Sequence, residues 1–255
     1  MYAHADTIKV FTYNIDTDST YRIVHAYYHM RAFRRDIQAV CDSLVYDTRD
    51  SVLFMYRDPI IWQEGQQQLG EEIRIFFSGE NIDSIQVLRQ ALSVEKIDSI
   101  HYNQVSGHEM HSYFKDGELY LSTSEGNVFL NYYPFDEDSI MVELNHTETS
   151  LLKMYVRNRK ADHIWMPAAT GTMYPIPLIP ADKYYLQNFA WFDYIRPVDR
   201  YDLFEWRPKK AGTELKESVR HAAPKQKLSD IKKQRGIKDS EEPKTHEPAE
   251  QSEGE

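Results

Sequence analysis

One short phrase recurs along this chain: an acidic or small polar residue, then apolar side chains at every second position. It reads Asp6-Thr7-Ile8-Lys9-Val10, Asp42-Ser43-Leu44-Val45-Tyr46, Glu71-Glu72-Ile73-Arg74-Ile75 and Ser150-Leu151-Leu152-Lys153-Met154, with a weaker copy at Glu109-Met110-His111-Ser112-Tyr113. A period of two marks a strand with one buried face, because successive side chains leave a pleated backbone on opposite sides. Between copies comes a polar turn and a second strand, as in Asp47-Thr48-Arg49-Asp50 before Ser51-Val52-Leu53-Phe54-Met55. A strand pair with one apolar face cannot bury that face alone, so copies must lie side by side in a sheet and face a second sheet. The fold class is therefore all-β, two facing antiparallel sheets built from repeated strand pairs, in a sandwich or an open roll.

The phrases start at 6, 42, 71, 109 and 150, at intervals of 36, 29, 38 and 41 residues. Such elastic spacing excludes a solenoid of fixed repeat and suits antiparallel strands joined by variable loops. The stretch from Ile82 to Ile100 could pass for a helix. It reads as strand because Ser84-Ile85-Gln86-Val87-Leu88 occupies the place in its repeat that Ser51-Val52-Leu53-Phe54-Met55 holds in another. If each of five repeats adds one strand per sheet, the roll is about 24 Å long.

Composition divides the chain into a folded part, 1–207, and a tail, 208–255. The tail carries 9 Lys and 2 Arg against 2 Asp and 8 Glu and has no Phe, Tyr or Trp. With little apolar surface to offset ordering entropy of about 1–2 kcal/mol per residue, it is expected to be a disordered charged tail, a short helix near Leu215 to Val219 being the lesser alternative. Within the folded part, 174–207 differs in character: Pro175, Pro177 and Pro180 precede Phe189, Trp191, Phe192, Tyr194, Tyr201, Phe204 and Trp206. Proline cannot donate to a central ladder, so this segment is expected to cap one end of the roll, offer a docking face, or pack back on the core.

A net charge of -10 argues against nucleic acid as a partner. The single cysteine, Cys41, allows no intrachain disulfide and reads as a small buried hydrophobe. His108-Glu109-Met110-His111 lacks the His-Glu-x-x-His spacing, and in a regular strand its two histidines face opposite sides, so no metal site is expected. No phosphate-binding glycine loop or nucleophile elbow is present. The expectation is a protein that is not an enzyme and takes no cofactor.

Several stretches together carry a family resemblance. They are Asp36-Ile37-Gln38-Ala39-Val40-Cys41-Asp42-Ser43-Leu44-Val45-Tyr46, Asp58-Pro59-Ile60-Ile61-Trp62, Gln90-Ala91-Leu92-Ser93-Val94-Glu95, Asp98-Ser99-Ile100-His101-Tyr102-Asn103-Gln104-Val105-Ser106-Gly107 and Asn188-Phe189-Ala190-Trp191-Phe192-Asp193-Tyr194-Ile195-Arg196-Pro197. Distributed over nearly everything before the tail, they resemble the OstA-like, LptA-type family of lipopolysaccharide-transport proteins, most closely its Bacteroidetes-type members. The resemblance implies an open β-jelly-roll, folded like a taco, whose apolar groove holds lipid A acyl chains. It also implies a periplasmic location, and stacking edge to edge with other Lpt-type jelly rolls or with a second copy. Exposing an acyl chain to water costs about 0.8 kcal/mol per CH₂, on the order of 10 kcal/mol for a 14-carbon chain, which a continuous groove removes. Family members are secreted and have strands before the first such phrase. The bare phrase at Ala5-Asp6, with no signal peptide before it, therefore implies an internal start at Met1 and a C-terminal portion of a longer protein.

For the groove lining, the alternating apolar positions of the repeated units are the candidates: Ile8, Val10, Leu44, Tyr46, Ile73, Ile75, Leu119, Leu121, Leu152 and Met154. The same residues would pack an ordinary sandwich shut, and a one-residue slip would send any of them to the other face. That leaves a second reading: a solid structural or assembly sandwich that binds protein through a strand edge or the aromatic C-terminal segment. A third is an enzyme acting on carbohydrate or lipid, whose sign would be paired carboxylates in a wet cleft.

Overall fold

The alternating pattern is realised as a meander of strands. The computed structural model describes residues 1–63, 65–136, 138–158, 160–213 and 215. In chain order the strands are β1 (Tyr2–His4), β2 (Thr7–Tyr13), β3 (Tyr21–Phe33), β4 (Ile37–Asp47), β5 (Val52–Tyr56), β6 (Ile60–Gln63) and β7 (Gln66–Leu69). They continue as β8 (Glu72–Ser78), β9 (Asn81–Lys96), β10 (Tyr102–Lys115), β11 (Glu118–Tyr132), β12 (Glu143–Arg157), β13 (Lys160–Trp165) and β14 (Ala169–Pro175). By pairing they form ten antiparallel segments, each bonded to the one before and the one after: β1–β2, β3, β4, β5–β6, β7–β8, β9, β10, β11, β12 and β13–β14. Ile82 to Lys96 is strand, as its place in the repeat implies, whereas 97–100, expected to continue it, form the turn into β10.

Every second segment from β3 to β11 turns through positive φ near its middle, and these bends line up along one crease. Register shifts lie between Tyr27 and Met30, between Gly107 and Glu109, and between Glu125 and Val128. Tyr28 and His29, Arg57 and Asp58, Arg89 and Gln90, and Gly126 and Asn127 take positive φ there. That conformation is uncommon for residues other than glycine, and its recurrence along one line shows that the bend is built in. The acidic residue that opens each phrase sits on this line, paired to the neighbouring bend: Asp6 Oδ2 to His29 Nδ1 at 2.9 Å, Asp42 Oδ2 to Arg57 Nη1 at 3.3 Å, and Glu71 Oε2 to Arg89 Nε at 2.8 Å. In the weaker copy, Glu109 lies 3.5 Å from His108 and 3.8 Å from His111. The bulge puts both histidines on the side of Glu109, where a regular strand would have separated them.

Across the crease the single sheet becomes two. Sheet I runs through β2, 21–27, 43–47, β5, β8, 81–88, 109–115, 118–125, 151–157 and β13. Sheet II runs through β1, 30–33, 37–41, β6, β7, 91–96, 102–107, 128–132, 143–149 and β14. Met30, Ala39 and Ile61 of sheet II share one core with Met55, Ile73 and Ile85 of sheet I. Gln68 Nε2 donates across the gap to Ser112 Oγ at 3.3 Å. Ten strands at ~4.8 Å spacing make each sheet about 43 Å wide, not the 24 Å expected. The difference arises because the phrase marks only every second segment, and each segment serves both sheets.

The segment after β14 was expected to cap one end or pack back on the core. It packs back on the core, as a strap across the outer face of sheet II with single 3-10 turns at Ile176–Leu178, Asp193–Ile195 and Asp202–Phe204. That outer face carries Val40, Ile60, Trp62, Leu69, Leu92, Val94 and Tyr102, and Phe192 and Ile195 of the strap cover it. Buried amide side chains satisfy the strap's backbone. Gln67 receives Phe192 N–H at 2.7 Å and donates to Ala190 O at 2.9 Å, Gln104 does the same for Leu186 N–H and Tyr184 O, and Asn131 donates to Lys183 O at 2.8 Å. At its far end Asp202 pairs with the buried Arg31 at 3.3 Å.

The strap continues past 207, where the tail was expected to begin. Lys209 Nζ lies 2.5 Å from Asp58 and 4.3 Å from the Phe192 ring, and Leu215 packs against the same cluster. The ammonium has a carboxylate and an aromatic face to hold it, so these residues attach to the domain. The rest of the tail, with the alternative of a helix through Val219, lies outside the described residues.

Glu71 and Glu72 are nearly buried side by side and share Arg89, which is itself hydrogen-bonded to both. Replacing Arg89 with Ala is expected to cost about 1.5–3 kcal/mol, because two nearly buried carboxylates each lose a charged hydrogen-bond partner, while Gln90 stays on Glu71 at 2.6 Å and Arg74 on Glu72 at 2.7 Å. Arg49→Ala, which breaks exposed pairs to Asp47 and Asp50, should cost less than about 1 kcal/mol. Urea denaturation of the two variants measures the contrast.

Candidate functional site

Residues directly opposite in an antiparallel pair share a face, so the inner surface of sheet I can be followed from strand to strand. Ile8 and Val10 stand across from Ala26 and Val24, and these across from Leu44 and Tyr46. Next come Met55 and Leu53, then Ile73 and Ile75, then Val87 and Ile85. Met110 and Ser112 follow, then Ser124 and Ser122, then Leu152 and Met154. Eight of the ten residues singled out from sequence thus occupy two adjacent rungs of one track across nine segments. Leu119 lies across from Phe114, on the same face.

Leu121 departs from the expected lining. A register shift between Tyr113 and Phe114 inserts one residue in β11, so Leu121 stands opposite Tyr113 and Tyr155 on the outer face.

The track is not uniformly open. Its middle is closed by Met55, Ile73, Ile85, Val87 and Ala91, all inaccessible to solvent. Toward β10–β12 the sheets part around a chamber of about 620 Å³, lined by Met110, Leu119, Leu152 and Met154 of sheet I and Val105 and Leu130 of sheet II. Ser93, Glu95, Asn103, Ser122 and Ser124 interrupt its apolar lining. At the opposite end Ile8 and Val10 are 51% and 56% exposed, on an edge strand exposed along its whole length. Chemically the interior offers burial: a chamber of ligand size whose walls are divided almost evenly between apolar and polar surface, with Gln66, Asp136 and Ser139 adding to the polar side.

Cys41 is buried and its thiol is pushed far up, first by burial and then by Asp42, which leaves it no nucleophilic role. Among the described residues no group of three or more His, Cys, Asp or Glu side chains is placed to hold a metal ion. No helix among them is long and apolar enough to cross a membrane. The chamber's serines and amides escaped sequence reasoning, which sought only apolar alternation. Their signal was the parity itself, since Ser122 and Ser124 fall two residues apart in β11.

No family model matches the chain, and no curated protein matches its sequence. Among solved structures it is similar to LptH, the LptA-homologous periplasmic component of the conserved lipopolysaccharide transport device from Pseudomonas aeruginosa. That likeness covers 54% of this chain and 92% of the other at 12% identity, with a TM-score of 0.39. A likeness at that level settles neither fold nor activity, and the fold stands on the strand register described above.

The side of the sheet decides what a substitution costs. Leu152, at 1% exposure inside the roll, should lose about 3–5 kcal/mol on replacement by Ser. Leu121→Ser, on the outer face, should lose less than about 1 kcal/mol. Shifts of the urea midpoint for the two variants check the assignment of faces.

Proposed function

We propose that this chain is a non-enzymatic lipid-binding module that shelters acyl chains between its sheets, acting in lipopolysaccharide transport through the periplasm to the outer membrane. The observation that carries the proposal is the 620 Å³ chamber, which continues an apolar track reaching the exposed edge strand β2. The sequence resemblance supplies the class of lipid. In this reading Leu119, Leu152 and Met154 contact lipid A chains directly. Leu44, Tyr46, Ile73 and Ile75 form the closed floor behind them, and Ile8 and Val10 extend the track to a neighbouring roll. That neighbour is a second copy or another Lpt-type jelly roll, paired along an exposed strand edge, where unpaired backbone groups and apolar side chains are presented together.

The packed middle supports a second reading, a structural or assembly sandwich that binds protein through β2 and never holds lipid. Photo-crosslinkers at Leu119, Met154 and Leu121 separate the two. In cells making lipopolysaccharide, the first two positions should yield lipid adducts and the third none. No lipid adduct at Leu119 or Met154, together with protein adducts from crosslinkers at Ile8 or Val10 of β2, would decide for the assembly sandwich.

A further inference from the structure

A second large cavity lies outside the roll, where the crease at β10 and β11 meets the strap. Its volume is about 660 Å³, within the range of small-ligand sites, and it shares no lining residue with the inner chamber. The crease supplies Gly107, His108, Gly126 and Asn127, which lie at the register shift where β10 and β11 leave their ladder. A side chain at Gly126 would come within 2.8 Å of His108 Cβ, so the missing Cβ keeps that wall in place. The strap supplies Tyr185, Gln187 and Asn188.

The polar groups are set before any ligand arrives. Asn131 Nδ2 donates to Lys183 O at 2.8 Å, which turns its Oδ1 toward His146 Nδ1 at 2.6 Å. The proton of the neutral imidazole therefore sits on Nδ1, and Nε2 is left as an acceptor. Burial, and then the nearby Lys183, lower the His146 pKa and keep the ring neutral at pH 7. Tyr185 is fixed by its hydroxyl, which donates to Ile100 O at 3.2 Å, and by the Phe189 ring at 4.5 Å. Asp182 and Lys183, the two charged residues of the wall, lie 4.0 Å apart and cancel.

A site with aromatic faces, amide groups, an imidazole acceptor and no net charge matches a ligand with apolar faces and hydroxyl edges. We propose that this outer cavity binds a neutral saccharide, with a sugar ring lying on Tyr185 and a hydroxyl donating to His146 Nε2. The saccharide can be free or the glycan headgroup of a glycolipid. The site is separate from the acyl-chain chamber, and neither reading depends on the other.

Saturation-transfer NMR on the full chain tests the assignment, with lactose, maltotriose, chitotriose and mannotriose as free probes and lactosylceramide in phosphatidylcholine vesicles as the lipid-borne one. Transfer to a free probe identifies a free saccharide, and transfer to lactosylceramide alone identifies a headgroup. Tyr185→Ala and His146→Phe should each weaken binding about tenfold, while Tyr185→Phe, which keeps the ring and its contact with Phe189 but loses the bond to Ile100, should weaken it less than about threefold. Asn188→Lys, at an exposed position on the rim, should block the cavity if Tyr185→Ala loosens the strap. Transfer to no probe, binding that survives these substitutions, or tighter binding of a glucuronide than of its neutral counterpart would overturn the proposal.

Discussion

The crease is the constraint on which the rest of this fold depends. An antiparallel meander of ten straight segments would be one broad twisted sheet with one apolar face open to water. Folding the meander at one line lets that face close on itself. The cost is a series of non-glycine residues at positive φ, such as Arg57, Asp58, Arg89 and Gln90. The acidic residue on the adjoining segment meets a basic one at three of these bends. Where the pair is exposed, as at Asp6 and His29, it adds little. Where it is nearly buried, as at Glu71 and Arg89, removing Arg89 takes a charged hydrogen bond from a carboxylate that water barely reaches.

Closing one face leaves the other to be managed, and the two sheets solve this differently. Sheet II is apolar on both sides, with Ile61 turned inward and Ile60 and Trp62 outward. Its back is covered by a strap without strands, whose backbone polar groups would be costly to bury unpaired. Gln67, Gln104 and Asn131 meet that need from successive positions across the sheet. Sheet I shows more polar groups outward, including Arg74, and needs no such cover.

Interior volume is distributed unevenly for a related reason. From β4 to β9 sheet I turns branched or long residues inward, Leu44, Met55, Ile73 and Ile85 among them, and these meet Ile61 and the smaller Ala39 and Ala91 of sheet II and fill the gap. From β10 onward Ser112, Ser122 and Ser124 replace large side chains in the same rungs, and the sheets stand apart around the chamber.

The sequence by itself determined that the chain is all-β, that its strands alternate apolar with polar side chains, and that the acidic phrase recurs. The alternation of Leu44 with Tyr46 or Ile73 with Ile75 is local, and a strand's pleat converts it directly into a face. It could not reveal that the phrase marks a bend, because the bend needs a partner on the adjoining segment, as Glu71 needs Arg89 eighteen residues on. Nor could it place Leu121, whose face is set by a bulge against β10, or show that Gln67 and Gln104 wait for a strap 80 or more residues away. Only the tertiary structure decided which part of the apolar track is packed shut and which is hollow. That outcome depends on the combined volume of side chains from two sheets that meet only once the crease has formed.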